Sequence, residues 1–374
     1  MKQKTVRAFK FLTVFLLLAV FLLGAAGDRG GVIAASPASV QGAEAQDGNI
    51  SVRSDGSGVT WKAATKPWTK ERMLAAKPAD LMGVSGEFNV TLEGATPDTQ
   101  MGAVPSALPG NAMPTVTTLE EMDLVSFASP LGYSYPAPFS RWTHALSNKK
   151  FPYSTAGVLF FSMYGGDYRC SASSIGNYAV WTAGHCVHAG DGQFAGWAYD
   201  VVFIPGYNNG SAPFGVWTAA NLWTNTNWYN SSDLRFDLGG AVLNTNGAGQ
   251  KISFVVGNLG FMYNASVQQH WIDFGWPAEP PFGGKYLNIC AASYAYSDAN
   301  FASPQPVGIG CDMTGGSSGG PWIVGFSYGA GPTNYLNGHN SYRYISPNHP
   351  LEMFSPYFGS AANSLRNALI ADTP

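Results

Sequence analysis

The chain of 374 residues is poor in charge: Asp, Glu, Lys and Arg make up 11% of it, and the formal net charge is −3. Nucleic-acid binding needs a basic surface that neutralises phosphates, so this composition disfavours DNA or RNA as a partner. Metal-binding signatures are missing as well, because the sequence has no H-E-x-x-H, no paired C-x-x-C and no EF-hand loop. A structural calcium ion held by aspartates and backbone carbonyls has no sequence signature here and stays an open alternative.

Long apolar runs are missing after the first 30 residues. One such run, Phe11 to Leu23, follows four basic residues and precedes a group of small residues. This order is typical of a secretory signal peptide, and the run is shorter than the ~20 residues that a membrane-spanning helix needs. We predict a signal peptide at residues 1–26, with Ala35 as the alternative cleavage region. The mature protein is expected to be secreted and free of membrane.

Helical periodicity is also scarce, and short apolar runs separated by Gly, Pro and Asn take its place. They are rich in β-branched and aromatic residues, which indicates an all-β unit of sandwich or barrel type. A single closing helix is predicted at Ser360 to Ala371. The predicted strands are Gly157–Phe161, Tyr178–Thr182, Asp200–Ile204, Leu238–Leu243 and Pro321–Val324.

Two short motifs carry the chemistry. Ser318 lies within Gly316-Ser-Ser-Gly-Gly320, where glycines permit a sharp turn and a close approach of the backbone to a ligand. His185 lies within Thr182-Ala-Gly-His-Cys186, at the end of an apolar strand. A serine hydroxyl is a poor nucleophile without a neighbouring base, so the two motifs together predict a nucleophile and its base.

These motifs resemble those of the trypsin-like (chymotrypsin-fold) serine peptidases, T-A-A-H-C around the base and G-D-S-G-G-P around the nucleophile. The variants Gly184 and Ser317 are similar to the secreted bacterial branch that includes the glutamyl endopeptidases. The resemblance covers roughly the last two thirds of the chain. It implies two packed antiparallel six-stranded β-barrels with the site between them, and a serine endopeptidase that acts on proteins or peptides without a cofactor.

The resemblance also assigns roles to residues. Ser318 would be the nucleophile, His185 the base, and the amides of Gly316 and Ser318 the oxyanion hole. His188, three residues further on, is the local rival for the base.

The third member of the triad falls between the base and the nucleophile. Asp237 and Asp233 both qualify, and Asp237 is preferred because an apolar strand, Leu238–Leu243, follows it directly. A turn-capping role is the alternative for either aspartate.

Substrate preference is left open between two classes. Asp312, six residues before Ser318, is spaced as in trypsin and suggests a basic P1 side chain, whereas the glutamyl endopeptidase resemblance favours Glu. Glu is slightly preferred, with His339 and hydroxyl groups holding the acid. The predicted pocket residues are Asp312, Met313, Thr314 and His339.

Digestive zymogens of this family carry Asp directly before the nucleophile, where it pairs with the newly cut N-terminus. Here that residue is Ser317, which has no charge to offer. We therefore expect activation to uncover the cleft rather than to build the oxyanion hole through an N-terminal ion pair.

Because the chain is exported and ends in a peptidase-like unit, residues 27–140 are predicted to be a pro-segment and residues 141–374 the peptidase domain. A small, permanently retained N-terminal domain is the alternative. The pro-segment has one predicted helix, Thr69 to Ala76, and an expected linker from Ala95 to Pro114.

The chain has four cysteines, and in an exported protein an even number suggests disulfides. Of the three pairings that four cysteines allow, we expect Cys170–Cys186 and Cys290–Cys311, and the mature protein is expected to be a monomer. The alternative function is a non-catalytic trypsin-like protein that binds cell-wall or polysaccharide ligands. Its candidate stacking residues are Trp197, Trp217, Trp223, Trp228 and Tyr229.

Overall fold

The computed structural model describes residues 43–46, 48–53, 66–79, 82–86, 89–92, 94, 97, 99–110, 137–144, 148–345 and 351–374. The predicted signal peptide lies outside these residues. The first elements are β1 (Ala43–Gln46), β2 (Asn49–Arg53), α1 (Lys70–Ala75), β3 (Lys77–Pro78), β4 (Met82–Val84), β5 (Val90–Thr91), β6 (Gly102–Val104) and β7 (Phe139–His144).

The following elements form the first half of the peptidase-like region. They are β8 (Ala156–Met163), β9 (Gly166–Gly176), β10 (Ala179–Ala183), β11 (Tyr199–Pro205), β12 (Trp217–Asn225), α2 (Thr226–Ser231), β13 (Leu238–Leu243) and α3 (Ile252–Val256). The second half contains β14 (Gly260–Tyr263), β15 (His270–Gly275), β16 (Leu287–Asp298), β17 (Val307–Gly310), β18 (Pro321–Val324), β19 (Tyr335–His339), β20 (Tyr342–Tyr344), β21 (Glu352–Ser355) and α4 (Ser360–Ala371).

Six strands close a first barrel in the order β8-β9-β10-β13-β12-β11, with β11 pairing back to β8. Strand β8 contributes side chains to two hydrophobic cores, one inside the barrel and one on its outer face. Successive side chains of a strand point to opposite faces. Leu159 and Phe161 therefore fill the barrel interior, while Val158 and Phe160 pack in the core that also contains Phe274 from the second sheet.

The second sheet runs β21-β17-β16-β15-β18-β19 along its central path. Its ends approach each other where the His339 amide donates a hydrogen bond to Ser355 Oγ at 2.9 Å. Helix α4 packs Leu365 and Leu369 into the core shared with both sheets. The predicted trypsin-like all-β fold with a closing helix is confirmed, and α4 has the predicted bounds.

Residues before Phe139 add strands to both sheets. Strand β2 pairs with β12, β3 with β9, and β6 with β14. The linker expected at 95–114 is therefore wrong for β6, whose three residues carry no periodic signal yet form ladder bonds with β14. The helix predicted in this region is α1, and Thr69 caps it by accepting a hydrogen bond from the Arg72 amide.

Two disulfides join the predicted partners, Cys170 with Cys186 and Cys290 with Cys311. The first closes a loop of 16 residues directly beside His185. Within the described ranges, none of the helices combines the length and apolar character that crossing a membrane requires.

Candidate active site

The structure brings His185 and Asp237 together. Strand β10 ends at Ala183, and residues 184–186 form a single helical turn that projects His185 toward Asp237. The His185 amide donates to Asp237 Oδ1 at 2.8 Å, and its ring Nδ1 donates to Oδ2 at 2.8 Å. These two bonds fix the orientation of the imidazole and leave Nε2 as the outward-facing nitrogen.

Asp237 is fully buried and takes a third hydrogen bond, from Ser341 Oγ to Oδ2 at 2.5 Å. A buried carboxylate needs such donors, because an unpaired charge away from water is costly. Asp233 has a different position: it accepts from the Arg235 amide and forms an ion pair with that guanidinium at 2.6 Å. The geometry therefore associates Asp237, and not Asp233, with the histidine.

Ser318 lies in a loop that only glycines can build. Gly319 has φ +77°, and a Cβ there would lie 2.1 Å from Thr182 Oγ1. The Ser318 carbonyl accepts from the Ser171 amide at 2.7 Å, which ties the loop to the first barrel. Ser318 Oγ and His185 Nε2 are both buried, and neither has a hydrogen-bond partner among the described residues.

Ser317, next to the candidate nucleophile, points away from it. Its hydroxyl donates to the Thr314 carbonyl at 2.8 Å, and its own carbonyl accepts from the Gly320 amide at 2.8 Å. Gly316 has φ +93°, a backbone conformation that favours glycine. That amide donates to the carbonyl of Ala79, before the predicted peptidase domain, at 3.2 Å.

Two polar residues beneath this loop were not predicted from the sequence. Asn340 accepts from the Gly319 amide at 2.7 Å through its carbonyl, and its side chain donates to Asp273 Oδ1 at 2.9 Å. Burial raises the pKa of Asp273 well above its usual value. Its Oδ2 lies 3.4 Å from Cys311 Sγ, which belongs to the second disulfide.

The structure corrects the expectation that His339 lines a substrate pocket. The residue is fully buried behind Asp237, where Trp181 Nε1 donates to its Nδ1 and its Nε2 donates to the Asp237 carbonyl, at 3.1 and 2.9 Å. The pKa of His339 is lowered to about 4, mainly by burial, with Asp237 opposing the shift and His185 adding to it. Its role is to support the Asp237 backbone.

The other predicted pocket residues surround the same loop. Asp312 pairs with Arg141 of β7, whose Nε lies 2.8 Å from Oδ1, and the two side chains are 23% and 31% exposed. Met313 is fully buried. Thr314 exchanges hydrogen bonds with the Glu279 backbone through its hydroxyl, and the Glu279 carboxylate accepts from the Gly315 amide at 3.2 Å.

The side chain of His188, the rival candidate for the base, forms hydrogen bonds with the backbone of a neighbouring loop. It accepts from the Gly190 amide and donates to the Gln193 carbonyl, and burial lowers its pKa. The tryptophans considered as stacking residues for polysaccharide are buried, and Trp228 is fully enclosed. These side chains therefore offer no exposed aromatic platform. The four candidate tryptophans that are buried are Trp197, Trp217, Trp223 and Trp228.

Solved structures identify the family. The protease Anisep from Arthrobacter nicotinovorans is 37% identical with a TM-score of 0.55, and the match covers 62% of this chain and 100% of that protein. The chain belongs to the trypsin-like serine peptidases. A thermostable serine protease, AL20, from an extremophilic microorganism is 36% identical with a TM-score of 0.53, covering 59% of this chain and 99% of that one.

One curated relative matches over a shorter stretch. An extracellular metalloprotease of Bacillus subtilis (strain 168) is 31% identical over 104 residues, which are 27% of this chain and 32% of that protein. No family model matches the chain.

Potential metal ligands cluster twice within the described ranges. Each cluster is a disulfide plus one side chain, His185 with Cys170–Cys186 and Asp273 with Cys290–Cys311. Zinc sites use thiolates, and a disulfide sulfur carries no such charge, so neither cluster fits a zinc site.

Gly184 differs from the alanine of the family motif, and the structure gives the reason. A Cβ at residue 184 would lie 2.8 Å from the indole ring of Trp228 and 2.9 Å from Asp237 Oδ1. Trp228 cannot retreat easily, because it is buried and its Nε1 donates to the His188 carbonyl at 2.8 Å.

We expect Gly184→Ala to lower the free energy of unfolding by about 1–3 kcal/mol, the usual cost of overpacking a core. The measurement is urea unfolding, with Gly247→Ala as the control because a Cβ there meets nothing within 4 Å. Equal stability of the two variants would contradict the steric explanation.

Proposed function

We propose that this protein is an exported serine endopeptidase with Ser318 as nucleophile, His185 as base and Asp237 as the group that orients the base. The observation that carries the proposal is the two-point contact of His185 with buried Asp237 at 2.8 Å, together with the unengaged Ser318 Oγ and His185 Nε2. A base whose orientation is fixed by a buried carboxylate is the group that activates a serine hydroxyl within its reach.

In this mechanism Nε2 of His185 removes the hydroxyl proton as Ser318 Oγ forms a bond to the substrate carbonyl carbon. The C=O π electrons move to oxygen, giving a tetrahedral oxyanion, and Asp237 stabilises the imidazolium. Collapse of the intermediate breaks the C–N bond while His185 returns the proton to the leaving amine. Water, deprotonated by His185, then hydrolyses the acyl-enzyme and restores Ser318.

The Gly316 amide supports the same mechanism. Its positive φ is a conformation that glycine adopts without strain, and a backbone N–H aimed at a developing oxyanion contributes strongly to catalysis because it needs no reorganisation. The Ser318 amide would be the second donor. A side chain at 316 is excluded, because a Cβ would lie 2.9 Å from the Trp276 carbonyl.

Export and maturation belong to the same proposal. The extracellular relative supports secretion, and the 62% of this chain that Anisep matches agrees with the share expected for a mature domain at residues 141–374. Residues 27–140 would then be a pro-segment. We propose that the mature protein acts on proteins or peptides as a monomer and without a cofactor.

A fluorophosphonate probe tests the nucleophile. Its phosphorus takes the Ser318 oxygen and releases fluoride, so the expected result is one mass adduct on the active protein and none on Ser318→Ala. Ser317→Ala is the matched control, because the Ser317 hydroxyl is bonded to Thr314 and takes no part in the chemistry.

Intact mass before and after labelling reads the adduct, and the unlabelled mass gives the mature N-terminus. Labelling of Ser318→Ala at the wild-type rate would refute the assignment of the nucleophile. Labelling that disappears only in Ser317→Ala would refute it as well.

For substrate preference, we propose that Arg141 suppresses a basic P1 side chain. An unpaired Asp312 would attract Lys or Arg, but its charge is compensated by Arg141, whose guanidinium also lies 4.9 Å from the centre of the Phe282 ring. This pairing supports the predicted preference for Glu over Lys or Arg, although His339 takes no part in it.

We expect Arg141→Met to raise kcat/KM for Lys and Arg at P1 relative to Glu by roughly tenfold, the change that about 1.4 kcal/mol gives. A set of peptides that differ only at P1 provides the measurement. Arg235→Met is the control, since Arg235 lies in the same predicted domain but forms its ion pair with Asp233. An unchanged preference in Arg141→Met would show that Asp312 does not contact the P1 side chain.

A further inference from the structure

The segment of residues 66–79 is anchored on the first barrel by an aromatic side chain. Trp68 is buried, its Nε1 donates to the Asp200 carbonyl at 2.7 Å, and its ring centre lies 5.3 Å from that of Phe160. Met73, one turn along α1, is buried in the same core. A segment outside the predicted peptidase domain thus completes part of that domain's core.

A charged anchor lies directly beside the aromatic one. Arg72 donates from Nε and Nη2 to the two oxygens of Asp167, both at 2.8 Å, and its Nη2 also reaches Ser162 Oγ at 2.9 Å. Its guanidinium stacks 3.8 Å from the centre of the Trp68 ring. Two-point pairs of this kind are strong and direction-specific, so Arg72 fixes the register of the segment.

In this register, the end of the segment lies against the loop that contains Gly316 and Ser318. Strand β3 runs parallel to β9, and the Ala79 amide donates to the Arg169 carbonyl at 2.9 Å. The Ala79 carbonyl accepts the Gly316 amide at 3.2 Å. A donor that is engaged by a ground-state carbonyl cannot at the same time receive a substrate oxyanion.

We propose that residues 66–79 form a separable inhibitory ligand of the peptidase domain, held by Trp68 and Arg72 and blocking the Gly316 amide with the Ala79 carbonyl. The surface formed by Phe160, Ser162, Asp167 and Asp200 is its docking site, and a peptide of this sequence binds there in trans. This proposal rests on the proposed function, because it assigns regulation to the same site. Such a block would not need the N-terminal ion pair that Ser317 is unable to form.

The test is the rate of fluorophosphonate labelling of the uncleaved full chain. Wild type is expected to react slowly, and the double variant Trp68→Ala/Arg72→Ala at least about tenfold faster, as loss of a charge-assisted anchor implies. Lys70→Ala is the matched control, because Lys70 lies exposed on the same helix, and it is expected to react like wild type. Circular dichroism checks that each variant is folded.

The peptide itself gives a second measurement that does not depend on catalysis. A dye-labelled peptide of residues 66–79 is added to the full chain carrying Ser318→Ala, Trp68→Ala and Arg72→Ala, and anisotropy reports binding. We expect binding that unlabelled peptide competes away and that the Arg72→Ala peptide lacks. Unlabelled peptide is also expected to slow labelling of the double variant.

The outcomes separate the two proposals. Equally fast labelling of wild type and double variant overturns the inhibitory role and leaves the proposed function intact. Labelling of no form of the chain, combined with specific peptide binding, refutes the serine peptidase mechanism while supporting the docking site. Absence of peptide binding, or its rapid cleavage without lasting inhibition, overturns the proposal of a separable inhibitor.

Discussion

Replacing Asp237 with asparagine is expected to lower kcat about 10⁴-fold, the size of effect seen when a triad carboxylate becomes an amide. The reason lies in the three donors that converge on Asp237, the His185 amide, the His185 Nδ1–H and the Ser341 hydroxyl. An asparagine side chain offers only one oxygen acceptor to these three donors, and its NH₂ group would face the imidazole ring of His185. His185 would then carry its proton on Nε2, where it cannot accept the proton of Ser318.

The matched control is Asp233→Asn. Asp233 is close in sequence and begins the short helical turn that Asp237 ends, yet it pairs with Arg235 rather than with His185. The measurement is kcat on one peptide substrate, with the unfolding midpoint recorded for both variants. A similar loss of kcat in both variants would mean that the electrostatic field of this loop matters more than the contact with the histidine.

The second large effect concerns stability in acid and centres on His339. Its folded-state pKa of about 4 lies below the unfolded value near 6.5, mainly through burial. Protonated Nδ1 would also face the Trp181 N–H, donor against donor. Between these two pKa values the unfolded chain binds more protons than the folded one, so stability falls as pH falls through this window. His339 alone accounts for about 3 kcal/mol of that loss, and buried His188 adds in the same direction.

We therefore expect His339→Gln to flatten the dependence of the unfolding free energy on pH between about 6.5 and 4. Urea unfolding at several pH values measures this, in Ser318→Ala protein so that self-digestion does not interfere. The control is His270→Gln, because His270 is exposed on β15. If the pH slope were unchanged in His339→Gln, the acid sensitivity would have to come from other groups.

Local pattern was sufficient for much of the fold. The apolar runs predicted as strands fall in β8, β10, β11, β13 and β18, because buried barrel strands read as continuous β-branched and aromatic stretches. The two disulfide pairs expected among the three possible pairings are the ones that form. By contrast, β3 and β6 are only two and three residues long, too short for a periodic pattern. They are strands because they form backbone hydrogen bonds with β9 and β14.

The candidate site also combines residues that local motifs predict with contacts that they do not predict. Ser318, His185 and Asp237 stand in motifs, whereas Ser341 meets Asp237 across 104 residues of sequence and Arg141 meets Asp312 across 171. No local pattern encodes such contacts. The family resemblance and the chain distance from Ser318 predict His339 in the pocket, but burial and its two hydrogen bonds place it in the core. The catalytic roles themselves remain predictions that the labelling and kinetic experiments test.

Strand β2 has a consequence for solubility. Strand β11 pairs with β12 only near Trp217 and Thr218. Further along β12, from Asn221 to Asn225, the pairing partner is β2 instead. If residues up to about 140 are removed, the N–H and C=O groups of this stretch lose their partners, and so do those of β14 opposite β6. Open sheet edges recruit strands from other chains. The precursor is thus the form better suited to high concentration, and self-association is expected to rise once the covering strands are lost.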